Sequence, residues 1–313
     1  MSTIEISIVI PVYNSSQIIE ELYKRIAKAV TAGCTYEIIF VNDCSTDDSW
    51  QKISSLTERY PSISGINFRK NCGQDNALLA GLRIAKGNYC VIMDDDLQHD
   101  PEAILKLYNE CKKGFDVCFA NFIERKQNGV KTIGSNFNGK MAEFLLSKPK
   151  GIYLSPFKII TRSTVMEIAK FAGPYPYIDG IILTITQNLT QIEVEHQPRL
   201  SGKSNYTFSR SLSVFMKLFT GFSVAPLRIA TITGFITTFI GFCLLLKYLY
   251  DFFITKIYVE GWTTVVVLII IFGGMILTTL GIIGEYIGRM YLTLNNKPQY
   301  SITEIVRSKS NAQ

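Results

Sequence analysis

Two stretches without a charged residue, Ile229–Leu246 (18 residues) and Val265–Ile283 (19 residues), most restrict what this 313-residue chain can fold into. A helix needs roughly 20 apolar residues to cross the hydrocarbon core of a bilayer, and interfacial flanks make up a small shortfall. Charge-free runs of this length are uncommon in soluble cores. Two membrane-crossing helices are therefore expected, over about 229–250 and 263–285. Lys247, Asp251, Lys256 and Glu260 cancel in the loop between them, whereas Arg199, Lys203, Arg210, Lys217 and Arg228 precede the first span with no acid among them. Basic flanks stay on the cytoplasmic side, which predicts a multi-pass protein of the inner (cell) membrane with its N-terminal domain and both termini in the cytoplasm. Ser209–Phe222 sets Leu212, Phe215, Met216, Phe219 and Phe222 on one helical face and Arg210 and Lys217 off it. Such a helix suits the membrane interface and its lipids.

The chain thus divides into a soluble domain (1–208), an interfacial helix (209–228), a two-helix membrane region (229–283) and a C-terminal tail (286–313). A basic segment beside a span suits anionic headgroups or a phosphate-bearing lipid. No basic run with interleaved aromatics marks the soluble part, so nucleic acid is not an expected partner. The seven cysteines are scattered, without a C-x-x-C pair, which indicates neither a zinc site nor a disulfide framework and fits a reducing compartment. Ile4–Ile10 reads as a strand and lacks the basic start and cleavage site of a secretory signal.

Strand and helix patterns alternate through the first 120 residues. Apolar runs at 6–10, 37–41, 63–68 and 89–93 predict strands, and helical spacing at 18–30, 49–60 and 76–86 predicts the helices between them. This order implies an α/β fold with a mostly parallel sheet covered on both faces. Ligands of such sheets bind at the carboxyl ends of the strands. The polar clusters after strands one, two and four are expected to meet in one crevice.

The fourth strand runs into Asp94-Asp95-Asp96-Leu97-Gln98. Three adjacent carboxylates repel one another unless a cation neutralises them. Alternation along a strand would put Asp94 and Asp96 on one face, sharing one hard ion, Mg2+ or Mn2+, with Asp95 turned elsewhere. A solvated acidic loop is the plainer alternative. At the end of strand two, Asp43 with Asn42 and Ser45 fits a turn or helix cap, or a contact to a nucleotide base or ribose. Pro11-Val-Tyr-Asn14 fits a strand end, or a Tyr13 ring stacked on a base. The absence of G-x-G-x-x-G after strand one argues against a dinucleotide-dependent oxidoreductase.

Taken in order, Pro11-Val-Tyr-Asn14, Val41-Asn-Asp-Cys-Ser-Thr-Asp47, Asn71-Cys-Gly-Gln74 and Asp94-Asp-Asp-Leu-Gln98 resemble glycosyltransferase family 2. Arg199-Leu-Ser-Gly-Lys-Ser-Asn-Tyr206, Pro226-Leu-Arg228, Gly284-Glu-Tyr-Ile-Gly-Arg289 and Pro298-Gln-Tyr300 narrow the likeness to the polyprenyl-phosphate glycosyltransferases, such as dolichyl-phosphate mannose synthase and the undecaprenyl-phosphate glucosyl and aminoarabinosyl transferases. The resemblance implies a GT-A (Rossmann-like) domain before the membrane helices. It implies a metal and diphosphate site at Asp94, Asp96 and Gln98, and a nucleotide pocket at Pro11, Tyr13, Asn14, Asp43, Lys70, Asp94 and Asp95. It places the acceptor phosphate on Arg199 and Lys203, supported by Ser204 and Tyr206, with Arg125 and Lys126 in a neighbouring loop. Asp96, Arg199 and Lys203 are then the residues of catalysis. The implied reaction is inverting transfer of a hexose-type sugar, glucose or an amino sugar, from a UDP-sugar to undecaprenyl phosphate by a homo-oligomer, a tetramer in related enzymes.

Four positions depart from the pattern: Ser15 where many relatives carry Glu, Cys44 for a usual Gly, Lys70 for a frequent Arg, and Pro156 where many carry an acid. A phosphate acceptor is largely dianionic at neutral pH, its second pKa being about 6, and needs no general base. Pro156 is compatible with such an acceptor. A processive polysaccharide synthase would carry Gln-x-x-Arg-Trp, and neither Trp50 nor Trp262 follows an Arg. A non-catalytic scaffold or flippase partner is the reading from another class; the retained carboxylates and Arg199 oppose it. Glu285 and Arg289, four apart, are expected to pair with each other or with headgroups.

Overall fold

The computed structural model describes residues 4–30, 33–122, 148–149, 151–194, 225–250, 253–254, 261–295 and 298–308. The expected interfacial helix at 209–222 lies outside them, as do Arg125, Lys126, Arg199, Lys203, Ser204 and Tyr206. The chain separates into an α/β unit, residues 1–211 with 296–313, and a helical unit, residues 212–295.

In the α/β unit, β1 (Ile6–Val12), β2 (Tyr36–Asn42), β3 (Ile63–Phe68) and β4 (Tyr89–Ile92) alternate with α1 (Ile19–Val30), α2 (Ser49–Arg59) and α3 (Gln74–Ile84). Then come α4 (Ala103–Cys111), β5 (Val117–Phe122), β6 (Lys158–Thr161), α5 (Arg162–Ala169), α6 (Ile178–Ile185), β7 (Leu189–Val194) and, far along the chain, β8 (Ile302–Arg307). The sheet order is β7-β5-β6-β4-β1-β2-β3-β8. Only β6 and β8 run against the other strands, so the expected mostly parallel α/β sheet is what forms. Every residue of β1 is buried, as a central parallel strand covered on both faces requires.

The helices seat by their apolar stripes. In α1, Ile19, Leu22, Tyr23, Ile26 and Val30 are buried at helical spacing, with Glu20 and Glu21 favourably placed in the first turn. Helix α3 lies close on the sheet at Gly81, where an added Cβ would stand 2.3 Å from a Val9 methyl.

Topology fixes the crevice. β1 has β2 on one side and β4 on the other, and the chain crosses over between β3 and β4. The connections therefore diverge between β1 and β4, which opens a gap at their carboxyl ends. Pro11 ends that ladder. Val9 is the last β1 residue registered with β4, and the next residue facing that side, Pro11, has no N–H to give.

The strand β8 was not foreseen. Its residues fall in the expected tail, yet they pair antiparallel with β3, Gly65 opposite Val306 and Asn67 opposite Glu304. A short, charged, alternating segment after an apolar helix reads as tail until its partner, far away in sequence, is seen.

The helical unit contains α7 (Ala225–Tyr250) and α8 (Trp262–Leu294), both long and apolar enough to cross a membrane. Thr231, Thr237, Thr278 and Thr279 return their hydroxyls to backbone carbonyls of the preceding turn, which satisfies these donors within the helix itself. The pairing of Glu285 with Arg289 is present, at 2.9 Å.

Candidate active site

Three loops leave the carboxyl ends of β1, β2 and β4, and each turns on a non-glycine residue in the left-handed region: Asn14 (φ 55°), Cys44 (φ 56°) and Leu97 (φ 61°). Such backbone is costly for a side-chain-bearing residue and collects at functional sites. Cys44, where the family pattern has Gly, keeps the tight turn and donates its thiol to the Arg69 carbonyl at 3.7 Å.

The loops are knitted together by short polar side chains. The Asn14 side-chain oxygen accepts the Thr46 N–H (2.8 Å), and Ser45 Oγ accepts the Asn14 N–H (3.0 Å). Asp47 receives the Ser16 N–H (3.0 Å) and the Ser49 hydroxyl (2.5 Å). Burial acts to raise the Asp47 pKa, but these hydrogen bonds outweigh it and hold the carboxyl below the usual range. Asp43 is buried and accepts two backbone N–H groups, from Cys72 (2.6 Å) and Gly73 (2.8 Å). Burial still leaves its pKa raised against the pull of those donors. Asp43 thereby joins the end of β2 to the loop before α3, where Gly73 takes φ 88°. Tyr13 stands half exposed at the rim, Lys70 is exposed on the β3–α3 loop, and Pro11 is buried.

The acidic run lies just past β4, in a bend rather than in the strand itself. Strand alternation therefore does not arrange Asp94 and Asp96 as the sequence predicts: β4 stops at Ile92 and the chain bends at 95–97, with Leu97 in the left-handed region. Asp94 accepts Gln74 Nε2 at 2.7 Å. Burial first, then Asp96 and Asp95, push its pKa from 3.8 to about 7, while Lys158 works in the opposite direction. Asp95 turns away toward β1 and accepts Ser15 Oγ at 2.5 Å. Burial carries its pKa to about 6 against the hydrogen bonds of Ser15 and the Tyr13 N–H. Asp96 accepts the Gln98 backbone N–H at 3.1 Å, and Gln98 is half buried beside it.

These residues fit a divalent cation. Asp96 adds to the cost of ionising Asp94, which a hard cation would relieve. Among the described residues no three His, Cys, Asp or Glu side chains converge as a closed cage. Two carboxylates leave coordination positions for diphosphate oxygens and water, as Mg2+ and Mn2+ sites commonly do.

Four participants escaped the sequence reading. Gln74 closes the Asn71-Cys-Gly-Gln74 motif, which by itself gives the residue no role. Ser15 registered only as a missing Glu. His99 is one of only two histidines in the chain, a signal in itself. It is 5% exposed, stacked between Phe122 (5.4 Å) and Phe157 (5.0 Å), and its Nδ1 accepts the Asp94 N–H at 3.1 Å. Lys158, 2% exposed, is ion-paired with Asp179 and lies 5.4 Å from the Phe119 ring centroid. Its register opposite Ile92 brings this cation near Asp94.

Residues 7–169 match the family described as "Glycosyl transferase family 2". An uncharacterized glycosyltransferase of Bacillus subtilis, YkcC, is 32% identical over 96% of this chain and 93% of its own. An undecaprenyl-phosphate 4-deoxy-4-formamido-L-arabinose transferase of Enterobacter sp. is 30% identical, with 96% and 94% covered. The solved structure of Mycobacterium tuberculosis glucosyl-3-phosphoglycerate synthase, holding Mn2+, UDP-glucose and phosphoglyceric acid, superposes with a TM-score of 0.53 at 17% identity, over 69% of this chain and 79% of that one. That likeness establishes the shared GT-A fold alone.

Proposed function

Because the chain belongs to glycosyl transferase family 2, we propose that it transfers a hexose-type sugar from a nucleotide diphosphate sugar to undecaprenyl phosphate. A UDP-sugar carrying glucose or an amino sugar is the favoured donor, and the product is a lipid-linked sugar for modification of the cell envelope. The observation that carries the lipid acceptor is the path of the chain. It leaves the α/β unit for two long apolar helices and returns to the same sheet as β8. Residues 302–307 therefore share a side of any membrane with β3. Two crossings satisfy that, and the basic flank before α7 favours the cytoplasmic face.

At the site, the nucleotide lies over the β1 and β2 loops, with Tyr13 free to stack and Asp43 holding the β3–α3 loop in place. Asp94 and Asp96, with Gln98, would hold Mg2+ or Mn2+, whose charge would neutralise the departing diphosphate. Gln74 and His99 orient Asp94 through its side chain and its backbone N–H respectively. Asp95 anchors the acidic bend to β1 through Ser15. The acceptor phosphate is assigned to Arg199 and Lys203 with Ser204 and Tyr206, and to Arg125 and Lys126. Its dianion attacks the anomeric carbon in line, so the nucleoside diphosphate leaves with inversion. The rate comes from positioning and charge neutralisation. The mentioned relatives support this reading, since one of them is named for transfer involving undecaprenyl phosphate.

The test is a panel of labelled UDP- and dTDP-sugars given to the full chain in detergent with undecaprenyl phosphate. The expected result is label in butanol-extractable lipid from one sugar of the panel. Label appearing only in free sugar, with every donor, would remove the lipid acceptor from the proposal.

A further inference from the structure

Gln299, Tyr300 and Ser301 follow α8 closely in sequence, and all three make their contacts on the α/β unit. Gln299 Nε2 donates to the carbonyls of Gly173 (2.5 Å) and Phe171 (3.4 Å). Tyr300 lies flat on Phe68 at the end of β3, with ring centroids 4.9 Å apart and 9° between planes. Its hydroxyl accepts Arg83 Nη1 at 2.8 Å, and the same guanidinium donates to the carbonyls of Ala169 (3.0 Å) and Phe171 (2.7 Å). Ser301 accepts the Arg69 N–H at 2.9 Å, and its own N–H is bonded to the Cys72 sulfur. The β3–β8 register shifts between Asn67 and Phe68, the kind of bulge that re-aims a chain beside a functional site.

The loop gripped in this way is the one that serves the crevice. Residues 69–74 supply both N–H donors to Asp43 and the Gln74 amide to Asp94. One face of the loop is thus fastened to the site and the other to the segment after α8. An edge strand added only for stability would need no contact with residues 69–72.

We propose that Gln299–Ser301 is a positioning strap, which holds the β3–α3 loop in the geometry that Gly73 and Gln74 need to serve the nucleotide-sugar site. The inference rests on the nucleotide-sugar site proposed above. The strap acts through Phe68, Arg69 and Cys72 and touches no substrate itself.

The test uses the full-length protein in detergent, with Tyr300→Ala, Tyr300→Phe and Gln299→Ala. The measurements are kcat, KM for the nucleotide sugar, KM for the polyprenyl phosphate, and thermal stability. Displacing a site loop by a fraction of an ångström is enough to cost about tenfold. Tyr300→Ala is expected to raise the nucleotide-sugar KM by about that factor, with the lipid KM unchanged. Tyr300→Phe, which keeps the stack and loses the Arg83 hydrogen bond, should give a smaller rise in the same parameter. Should Tyr300→Ala not fold, Tyr300→Phe and Gln299→Ala carry the same test. An unchanged nucleotide-sugar KM in the folded variants, whatever happens to the melting temperature, overturns the strap. An active wild type with unaffected variants would leave the site standing; a wild type that turns over no nucleotide sugar overturns the site and the strap together.

Discussion

Ser15 Oγ donates a hydrogen bond to Asp95 Oδ2 at 2.5 Å, joining the loop after β1 to the acidic bend after β4. The hydroxyl donates here, where an ionised carboxylate could only accept. Asp95 already resists ionisation, its pKa lifted to about 6 chiefly by burial. A second acid at hydrogen-bond distance adds like-charge repulsion, and about 1.4 kcal/mol of it is worth a factor of ten. Ser15→Glu is expected to reduce transfer at pH 7.5 by about tenfold, while Ser15→Thr retains most of it. Equal rates in wild type and Ser15→Glu would show that the bond does not matter to the site.

The chelated protein should reveal the stored repulsion at Asp94. Folded Asp94 keeps its proton to about pH 7, whereas its ordinary pKa is 3.8. The folded state therefore binds more protons than the unfolded chain across that window. Its stability falls as pH rises from about 4 to about 7 and stays low above. Asp94→Asn removes the charge and keeps an oxygen for Gln74. With EDTA present, this variant should melt higher than wild type at pH 8, by on the order of 1–2 kcal/mol, with the difference fading toward pH 4. A lower melting temperature for Asp94→Asn at pH 8 would contradict the assignment.

Cys44 holds φ 56° without being glycine. Relief of that strain by Cys44→Gly is worth about 1 kcal/mol, offset in part by the greater freedom of glycine in the unfolded chain. The expected net gain is roughly 0.5 kcal/mol, whereas the β-branched Cys44→Val should lose about 1–2 kcal/mol. Thermal denaturation of the two variants checks the order, and Val at or above Gly would refute it.

The buried pair Lys158–Asp179 has side-chain exposures of only 3% and 14%. Removing one partner strands the other charge, so Lys158→Met is expected to cost about 3–5 kcal/mol. Lys158→Met combined with Asp179→Leu should recover at least half of that loss. Urea denaturation of the single and double variants reads the difference. A double variant no better than the single would mean that packing, not charge, dominates there.

Strands β1 to β4 were legible because they are local apolar runs, and the end of β4 pointed straight at Asp94, whereas β5, β6 and β7 were not read as strands. The arrangement of the carboxylates was not legible. It depends on where β4 stops, at Ile92, and on a left-handed Leu97, neither of which periodicity reveals. His99 and Lys158 were invisible for a different reason. Their partners, Phe122 and Phe157 for one and Asp179 for the other, are brought together by the pairing of β6 between β4 and β5. The strand β8 carries Glu304 and Arg307 and is largely exposed, so nothing in its composition separates it from a solvated tail.

The most direct test of the account is the release of nucleoside diphosphate by the full chain, measured with undecaprenyl phosphate present or absent, with Mg2+ or Mn2+ supplied or chelated, for wild type and Asp96→Ala. Release that requires the lipid phosphate and the metal, and that falls by at least about a hundredfold in a folded Asp96→Ala protein, is the predicted result. Lipid-dependent release that proceeds undiminished in Asp96→Ala or under chelation would contradict it.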